Sequence, residues 1–438
     1  IAGLDYKDRY ILDGMYRRDE SSLFGSNFRT NDYYRVSGAY RISQDFDIPG
    51  VQELKVHAAM GTAGQRPSYA WQYTRRNIGS GIPSTSQTVG NPELRPSKST
   101  EKEVGLNADF LDRFSLEVVY SDMKTEDQFM LVDLFAPANE GANQYQNVGT
   151  VTSNTLELVL DAEIVNTKDF SWNTGVVFSS TNNTIESLNI NPRIQGPGNG
   201  QMFRLEEGLE YGTMFGRDFV RSLDIMAAQL PSGASLSDYV VNSDGVVVDA
   251  STIGTKYESG IIRENEDGSV WVGDIGNQTA DFNLGLRNTI SYKNFDFYML
   301  WDWKQGGDLY NRNGQWLTRD NRHEMIDQAG KAPGEQKTVS YYQSLYDVNQ
   351  NNGYWVEDAS FVKLREASIF YTFDDMEKSF INSLRIGLTG TNLFTFTNYS
   401  GWDPEVQLFD GATSQYYAVD FGVYPVSTSY TLSVTLKF

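Results

Sequence analysis

The sequence predicts an all-β protein, an antiparallel transmembrane β-barrel, and three observations lead to that fold class. Apolar and polar residues alternate in many segments, which is the two-residue period of a β-strand with one apolar face. Short turns and long polar loops alternate between these segments, as in bacterial outer-membrane barrels. No stretch approaches the ~18 consecutive apolar residues of a membrane helix, so a helical membrane protein is excluded.

The composition is compatible with such a barrel. The 438 residues include 24 Phe, 26 Tyr and 8 Trp but are only 39% hydrophobic, and a barrel needs apolar residues only at alternate positions. The formal charge of −21 disfavours a nucleic-acid partner, which attracts basic proteins. The absence of cysteine fits a bacterial envelope protein. Two histidines, His57 and His323, leave little for a histidine-based zinc or catalytic site.

The first half of the chain supplies seven alternating segments. In 53–61, for example, Leu54, Val56, Ala58 and Met60 would share one face. Each segment is close to the ~9–11 residues that a tilted strand needs to cross a membrane. The seven segments cover 9–19, 33–43, 53–61, 100–111, 113–122, 155–164 and 171–180.

The second half contains the clearest hairpin, at 282–303, with its turn at "YKNF". We expect Trp301 and Trp303 to face lipid and Asp302 to face the lumen. Three further segments follow, at 360–373, 382–396 and 426–438. The two apolar rows of the hairpin are Phe282, Leu284, Leu286, Ile290 and Tyr292, then Phe295, Phe297, Met299, Trp301 and Trp303.

The strand count follows from the alternating directions of barrel strands. If the last strand runs towards the periplasm, an even number of crossings must lie between 171–183 and 279–292. We therefore predict two short strands in 201–222, on either side of Gly208–Gly212. The total is about 14 strands in one domain that spans 1–438. The soluble alternatives are a large sandwich, a propeller or a solenoid. A propeller would show a repeat of ~40–50 residues that is not found, and a sandwich would not need such unequal loops.

The predicted connections differ sharply in length. Short turns are predicted at "FLDR", "NTKDF", "YKNF" and "DDMEKS". Short turns mark the periplasmic end of a bacterial barrel and long loops mark the outside. The long polar loops are predicted at 63–99, 132–151, 223–278, 310–358 and 398–425.

Several strings, in order, resemble the C-terminal half of a SusC/RagA-type TonB-dependent outer-membrane transporter of Bacteroidetes. "DYKDRYILDGMYRRDESSLFG" resembles the family's "RRDGSS.FG" pattern, with Glu20 in place of the usual Gly. "GNPELRPSKSTEKEVGLN" resembles its "GNP.L.PE....E.GLD" segment, and "QNVGTVTSNTLELVL" resembles "NVG...N.G.E". Three more follow in the family's order: "IGNQTADFNLGLRNTISYKNFDFYMLWDWKQGGDLYN", "WVEDASFVKLREASIFYTF" and "LTGTNLFTFTNYSGWDPEV".

The resemblance implies a 22-stranded plugged barrel, of which this chain would form the C-terminal part. The plug, the N-terminal strands, the signal peptide and the TonB-contacting segment have no counterpart in these residues. The implied function is import of oligosaccharides or oligopeptides, with a SusD-like surface lipoprotein as a lid and with energy from the TonB complex. The acidic composition favours a glycan slightly, because an anionic ligand would be repelled. A structural or adhesive barrel without transport is the alternative.

Aromatic and cationic residues in the long loops are the candidate contacts to substrate or lid. Aromatic faces beside Asp, Asn and Arg suit both sugars and peptides, although such rings also pack loops against one another or lie at the membrane interface. The terminal Phe438 resembles the residue that the outer-membrane assembly machinery reads. The candidate contacts are Trp71, Tyr73, Arg312, Trp316, Tyr354, Trp355 and Trp402.

No catalytic or metal site is expected. "NSDGVVVD" at 242–249 and "ENEDGS" at 264–269 resemble fragments of calcium loops, but neither has the full ligand spacing. Turns built on Asp-Gly are the favoured interpretation, and bound Ca²⁺ is the weaker alternative. The sequence contains no recognisable Ser-His-Asp order, paired-carboxylate motif or phosphate-binding glycine loop, so an enzyme is not expected.

Overall fold

Thirteen strands form one antiparallel sheet, in which each strand pairs with its neighbours in chain order. The computed structural model describes the chain except for residues 23–27, 77, 80, 84–87, 135–142, 199, 334, 347–351, 375–380 and 412–414. The strands are β1 (Ala2–Tyr6), β2 (Tyr10–Glu20), β3 (Thr30–Arg41), β4 (Val51–Gln65), β5 (Ser97–Phe110), β6 (Phe114–Glu126), β7 (Thr150–Asn166), β8 (Phe170–Ser187), β9 (Phe282–Tyr292), β10 (Phe295–Gln305), β11 (Phe361–Phe373), β12 (Ser383–Thr397) and β13 (Ser429–Lys437).

The sheet is an open part of a barrel. Within the described residues no pairing joins β1 to β13, so these two strands are its edges. The all-β barrel fold is therefore confirmed, with thirteen described strands rather than 14.

The two barrel strands predicted in 201–222 are wrong. β8 pairs directly with β9, so no barrel strand lies between them. The parity rule required an even number of strands there, and it is met by none as well as by two. The segment instead contributes Phe203–Leu205 and Thr213–Gly216 to a small four-stranded sheet in the loop. Because Phe203, Leu205 and Met214 are almost fully buried, the segment has no face to offer to lipid.

The N-terminal strand β1 escaped the sequence prediction because it has only five residues. It pairs with β2 through the turn at Lys7 and Asp8, both of which have positive φ, 58° and 55°. Leu111 and Asp112 repeat this geometry between β5 and β6, with φ of 54° and 53°. Two consecutive residues with positive φ match the twist of the flanking strands, as tight hairpin turns require.

The short and long connections lie at opposite ends of the sheet, as predicted. The short connections include the predicted turns 111–113, 167–169 and 293–294. The end of the sheet at which they lie is periplasmic by the rule for bacterial barrels. Most of "DDMEKS" lies outside the described residues. The long connections are 21–29, 66–96, 127–149, 188–281, 306–360 and 398–428.

The connections carry short elements of their own. Among the described residues, no helix is both long and apolar enough to span a membrane. The α-helices are α1 (Leu223–Ala228), α2 (Arg312–Arg319) and α3 (Val339–Tyr346). The 3-10 helices are Ile42–Gln44, Tyr69–Gln72, Leu236–Asp238, Ala250–Thr252, Glu324–Ile326 and Asn352–Trp355. The remaining short strands are Ile78–Gly79, Ile82–Pro83, Thr88–Val89, Phe129–Asp133, Asn143–Asn147, Arg193–Gln195, Phe203–Leu205, Thr213–Gly216, Tyr239–Val241, Val247–Asp249, Gly273–Asn277, Asp308–Tyr310, Val356–Asp358, Leu408–Asp410 and Gln415–Tyr417.

The two faces of the sheet have opposite chemistry. The outer face carries rows such as Leu284 opposite Trp303 and Leu286 opposite Trp301, and its Leu432 is 71% exposed. The inner face carries charged residues. Asp302 lies there, because it forms an ion pair of 2.5 Å with Arg365, which also binds a loop that covers this face.

An arginine on the outer face is expected to impair assembly. Trp301→Arg should lower the yield of folded barrel, since a basic residue near the bilayer midplane costs about 2–4 kcal/mol. Thr289→Arg is the control, because Thr289 lines an inner-face groove of about 840 Å³ that has room for the side chain. The measurement is the amount of heat-modifiable, membrane-inserted protein. Equal yields of the two variants would mean that the faces are assigned wrongly.

The hydrophobic core lies in the loops rather than in the sheet. The largest cluster of buried residues joins Met214, Tyr310, Tyr342 and Tyr417, which come from three different loops. We call these three loops, residues 188–281, 306–360 and 398–428, the loop body. Because they share one core, we expect them to behave as one folded unit.

Candidate functional site

The loop body is attached to the inner face of the sheet by a network of ion pairs. The ammonium group of Lys363 lies 2.6 Å from Asp403 and 2.5 Å from Glu405, and the side chains of Lys363 and Asp403 are only 4% and 6% exposed. Arg365 binds both Glu405 and Asp302. The loop 398–428 is thereby bound to β10 and β11.

Lys363 and Arg365 lie on the same side of β11 because they are two residues apart in a strand. A β-bulge follows directly: in the pairing with β10, Leu364 lies opposite Trp301 and Glu366 lies opposite Leu300, so Arg365 is the extra residue. A bulge of this kind changes the face on which the following side chains lie, here from Glu366 onwards. Lys363 and Arg365 both reach the carboxylates of the loop body.

Two carboxylates of this network, Asp403 and Glu405, are held in their charged form. Burial by itself would raise the pKa of Asp403, but hydrogen bonds from Lys363 and from the backbone N–H groups of Val426 and Glu405 outweigh it and lower the pKa. Burial would also raise the pKa of Glu405, but the hydrogen bonds from Arg365 and Lys363 outweigh it and lower this pKa. Both groups therefore stabilise the attached state when they are ionised.

Acid is expected to detach the loop body. A carboxylate whose pKa is lower in the folded state contributes stability that is fully present above its ordinary pKa, about 4, and that is lost as the pH falls through the folded value. Pepsin should therefore cleave the loop body faster as the pH falls from about 5 to about 2, beyond the change for a peptide standard. Constant relative cleavage over this range would contradict the role of the network.

A second buried ion pair joins two loops within the loop body. Lys337 lies 2.5 Å from Glu258, and their side chains are 2% and 0% exposed. Glu258 also accepts hydrogen bonds from Asn242 (3.1 Å) and from the backbone N–H of Gly254 (2.8 Å). The loop between β8 and β9 is thereby fixed to the loop between β10 and β11.

A polar cavity of about 280 Å³ lies between the loop body and the inner face. Asn283, Asp302 and Lys304 line it from the sheet, and Asp308 and Glu405 line it from the loops. Burial raises the pKa of Asp308. The cavity can hold polar groups of a solute that passes along the inner face.

The candidate Trp71 lies in a separate aromatic cluster. Its ring stacks on Tyr145 at 4.0 Å and meets Phe129 edge-on at 5.4 Å. It borders a cavity of about 200 Å³ that also contacts the loop body through Asp410. Tyr73, two residues away, is 51% exposed and is not among the residues that line this cavity.

The candidates Arg312 and Trp316 form a cation–π arrangement at helix α2. The guanidinium carbon of Arg312 lies 5.1 Å from the ring centre of Trp316 and 5.2 Å from that of Phe421, and Arg319 covers Trp316 at 4.0 Å. The indole nitrogen of Trp316 is buried and has no hydrogen-bond partner among the described residues. These contacts position α2 against the last loop.

The candidates Tyr354 and Trp355 pack inside the loop body. Trp355 is 3% exposed and donates a hydrogen bond of 2.7 Å from its indole nitrogen to the carbonyl oxygen of Leu345. Tyr354 contacts Phe219 edge-on at 6.1 Å, and burial raises its pKa. Both positions favour a packing role, which was the alternative interpretation of these rings.

Trp402 is the most exposed of the candidates, at 73%, and lies at the rim of a cavity of about 260 Å³. Asn313, His323 and Glu324 contribute to the same cavity. Burial lowers the pKa of His323, so the imidazole is neutral at pH 7. A planar ring beside amide, imidazole and carboxylate groups can bind a sugar or a peptide.

The calcium-like segments form turns. Asn242 accepts hydrogen bonds from the backbone N–H groups of Asp244 and Val246, and Asp267 accepts one from that of Ser269. Among the described residues, no group of three or more His, Cys, Asp or Glu side chains could hold a metal ion. His57 lies on the inner face, 3.2 Å from Glu103.

The residues of the ion-pair network were missed in the sequence. A signal was present, because "VKLRE" at 362–366 places two cations two residues apart on one face of a predicted strand, and "DPE" at 403–405 supplies two carboxylates. Their separation of about 40 residues along the chain concealed the pairing.

Comparison with known proteins agrees with this architecture. Residues 2–257, more than half of the chain, match the family model described as TonB dependent receptor-like, beta-barrel. A TonB-dependent receptor of Formosa agariphila is 26% identical over 468 residues, covering 99% of this chain and 45% of the relative. The TonB-dependent receptor SusC of Bacteroides thetaiotaomicron is 23% identical, covering 98% of this chain and 42% of SusC.

The fold also matches a solved structure. The RagAB peptide importer in its closed-closed state aligns with a TM-score of 0.72 at 20% identity, over 100% of this chain and 47% of that chain. The chain thus spans about half the length of the relatives it matches. Its barrel strands lie in the bacterial outer membrane, and the chain belongs to the TonB-dependent receptor β-barrel family, with SusC among its relatives.

Proposed function

We propose that the protein imports an oligomeric nutrient across the outer membrane, as the barrel part of a SusC-type transporter. The observation that carries this proposal is the loop body, whose three loops share one hydrophobic core and which is bound to the inner face by Lys363 and Arg365 with a polar cavity beneath it. A unit of this kind at the outer end controls access to the lumen. Energy would come from the TonB complex through a segment that these residues do not include.

The proposed substrates are oligosaccharides or oligopeptides. The cavity at Trp402 has an exposed aromatic face and polar neighbours, which suits either class. The charge of −21 favours an uncharged glycan over an anionic ligand. Peptide is the second class because the structurally similar RagAB is a peptide importer. We propose no cofactor and no catalytic activity.

The proposed partner is a SusD-like surface lipoprotein that covers the outer end of the barrel. Long loops in a folded domain commonly bind a partner. Trp355 is too deeply buried to serve as its contact, whereas Trp402 and Tyr424, at 73% and 93% exposed, are available. Shortening 312–350 would not test docking, since it removes Tyr341, Tyr342 and Leu345 from the shared core. Loss of the copurifying lipoprotein from a Tyr424→Ala variant is the better test.

Uptake by living cells tests the import proposal. A deletion strain complemented with the wild-type gene should take up a labelled oligosaccharide or oligopeptide that the deletion strain does not. Trp402→Ala should lower uptake severalfold at limiting substrate, because it removes the exposed ring at the cavity. Tyr257→Ala is the control, since Tyr257 is 71% exposed but is not among the residues that line a described cavity.

The alternative function is a structural or adhesive barrel. If no candidate of either substrate class distinguishes the complemented strain from the deletion strain, while cell-surface adhesion does, the import proposal fails and this alternative is favoured. A gene without plug-coding and TonB-contacting segments would lead to the same conclusion.

Phe438 remains a proposed assembly signal. It follows β13 directly and is 69% exposed on the outer side of the alternating strand. The same position suits an aromatic ring at the membrane interface, and both roles can hold together.

A further inference from the structure

A shallow apolar groove of about 380 Å³ interrupts the outer face between β9 and β13. Its sides are formed by Phe297, Met299, Ile369, Leu388 and Tyr430. Its floor is formed by Ala367 and Gly390, which lie opposite each other in the pairing of β11 with β12. The groove therefore exists because two small residues lie side by side between the larger Met299 and Tyr430.

The irregular pairing of β11 and β12 shapes one end of the groove. Asn392 has a positive φ of 51°, and here the register shifts between Leu364 and Glu366. The side chain of Leu393 consequently turns over Gly390, where an added Cβ would lie 2.7 Å from it. The groove is part of the backbone geometry rather than a chance gap between side chains.

The groove extends from the middle of β11 and β12 towards the periplasmic end of the barrel wall. Its Ile369–Leu388 pair is two outer-face positions away from Phe373–Leu384, the last pair before the short turn. None of the described residues that line it is charged. Its occupant is therefore hydrocarbon, and the groove offers no charged side chain that would bind a lipid headgroup.

We propose that this groove binds one acyl chain of a phospholipid from the periplasmic leaflet. A protein partner is disfavoured because protein interfaces carry a polar rim, and this groove has apolar rows on both sides. All lipid-facing surface is apolar, so selective binding in a membrane arises from close packing. A narrow groove with a two-residue floor packs a single chain on three sides, which the flat rows beside it do not. The proposal depends on the membrane position of the outer face and not on transport.

Native mass spectrometry of the protein in a mild detergent tests this site. The wild-type protein, purified from its membrane and incubated with phosphatidylethanolamine, should retain a one-lipid adduct. Ala367→Phe fills the floor of the groove and should lower the adduct fraction severalfold. Ala108→Phe is the matched control, because Ala108 lies on the outer face between Leu54 and Leu116, away from the groove. Heat-modifiable migration shows that each variant is folded.

The outcomes are distinguishable. Retention of the adduct by Ala108→Phe and its loss from Ala367→Phe would support the site. No adduct on the wild type, or equal adducts on both variants, would overturn it. A groove-dependent dimer of this protein, or retention of lipopolysaccharide instead of phospholipid, would also overturn it, by identifying a different occupant.

Discussion

Asp403→Ala is expected to detach the loop body from the barrel wall. The substitution leaves Lys363, whose side chain is 4% exposed, with Glu405 as its remaining partner within ion-pair distance, and it removes the acceptor for the backbone N–H groups of Glu405 and Val426. Removal of one partner from a buried ion pair costs about 3–5 kcal/mol. We place this variant near 3 kcal/mol, because Glu405 still neutralises part of the charge.

The measurement is cleavage of the loops by an external protease on intact cells, with the barrel followed by heat-modifiable migration. The loops of Asp403→Ala should be cleaved much faster while the barrel stays folded. Asp320→Ala is the control, since Asp320 forms an exposed pair of 2.7 Å with Arg319, and such pairs contribute only about 0–1 kcal/mol. Equal cleavage of the two variants would show that the Lys363–Asp403 pair does not hold the loop body in place.

Glu258→Gln is expected to destabilise the loop body from within. The change keeps the size of the side chain and removes only its charge, so the Lys337 ammonium is left buried, with side-chain exposure of 2%, and without a counter-ion within 4 Å among the described residues. The expected loss is about 3–5 kcal/mol of local opening free energy. Hydrogen exchange of the amides in 188–281 and 306–360 measures it.

A double variant separates the charge effect from the loss of packing. Replacing a buried ion pair by apolar residues of similar volume is often neutral. The combination Glu258→Gln with Lys337→Met removes both charges and keeps a side-chain oxygen that can accept from the Gly254 N–H, so it should recover most of the stability that Glu258→Gln alone loses. If the double variant is as unstable as the single one, the ion pair is not the source of the loss.

The alternation of side chains was enough to predict the sheet. Twelve of the thirteen strands lie where the sequence shows a two-residue period, because each needs one face for lipid and one for the lumen. The order of short and long connections was also readable, since tight turns such as 293–294 carry their own residue signals. Five-residue β1 was too short to show a period.

The organisation of the loops was not predictable, because it depends on contacts between residues far apart in the chain. Lys337 and Glu258 are 79 residues apart, and Asn313 binds Asp420 across 107 residues. Long-range packing in the shared core buries Phe203, Met214 and Trp355, which is why 201–222 was misassigned. The local sequence around a loop aromatic does not show whether its ring is exposed, so Trp402 could not be told from Trp355 in advance.

Hydrogen exchange across the loop body tests the central claim most directly, namely that the three loops are one folded unit. With the protein in lipid nanodiscs, three amides report on it: Phe215, Asn311 and Asp420, whose backbone N–H groups donate to the carbonyl oxygens of Met202, Trp355 and Tyr310. They lie in the loop between β8 and β9, the loop between β10 and β11 and the last loop, respectively. We predict a shared opening free energy for these amides and a parallel fall in Glu258→Gln. Independent opening of the last loop, unaffected by Glu258→Gln, would contradict it.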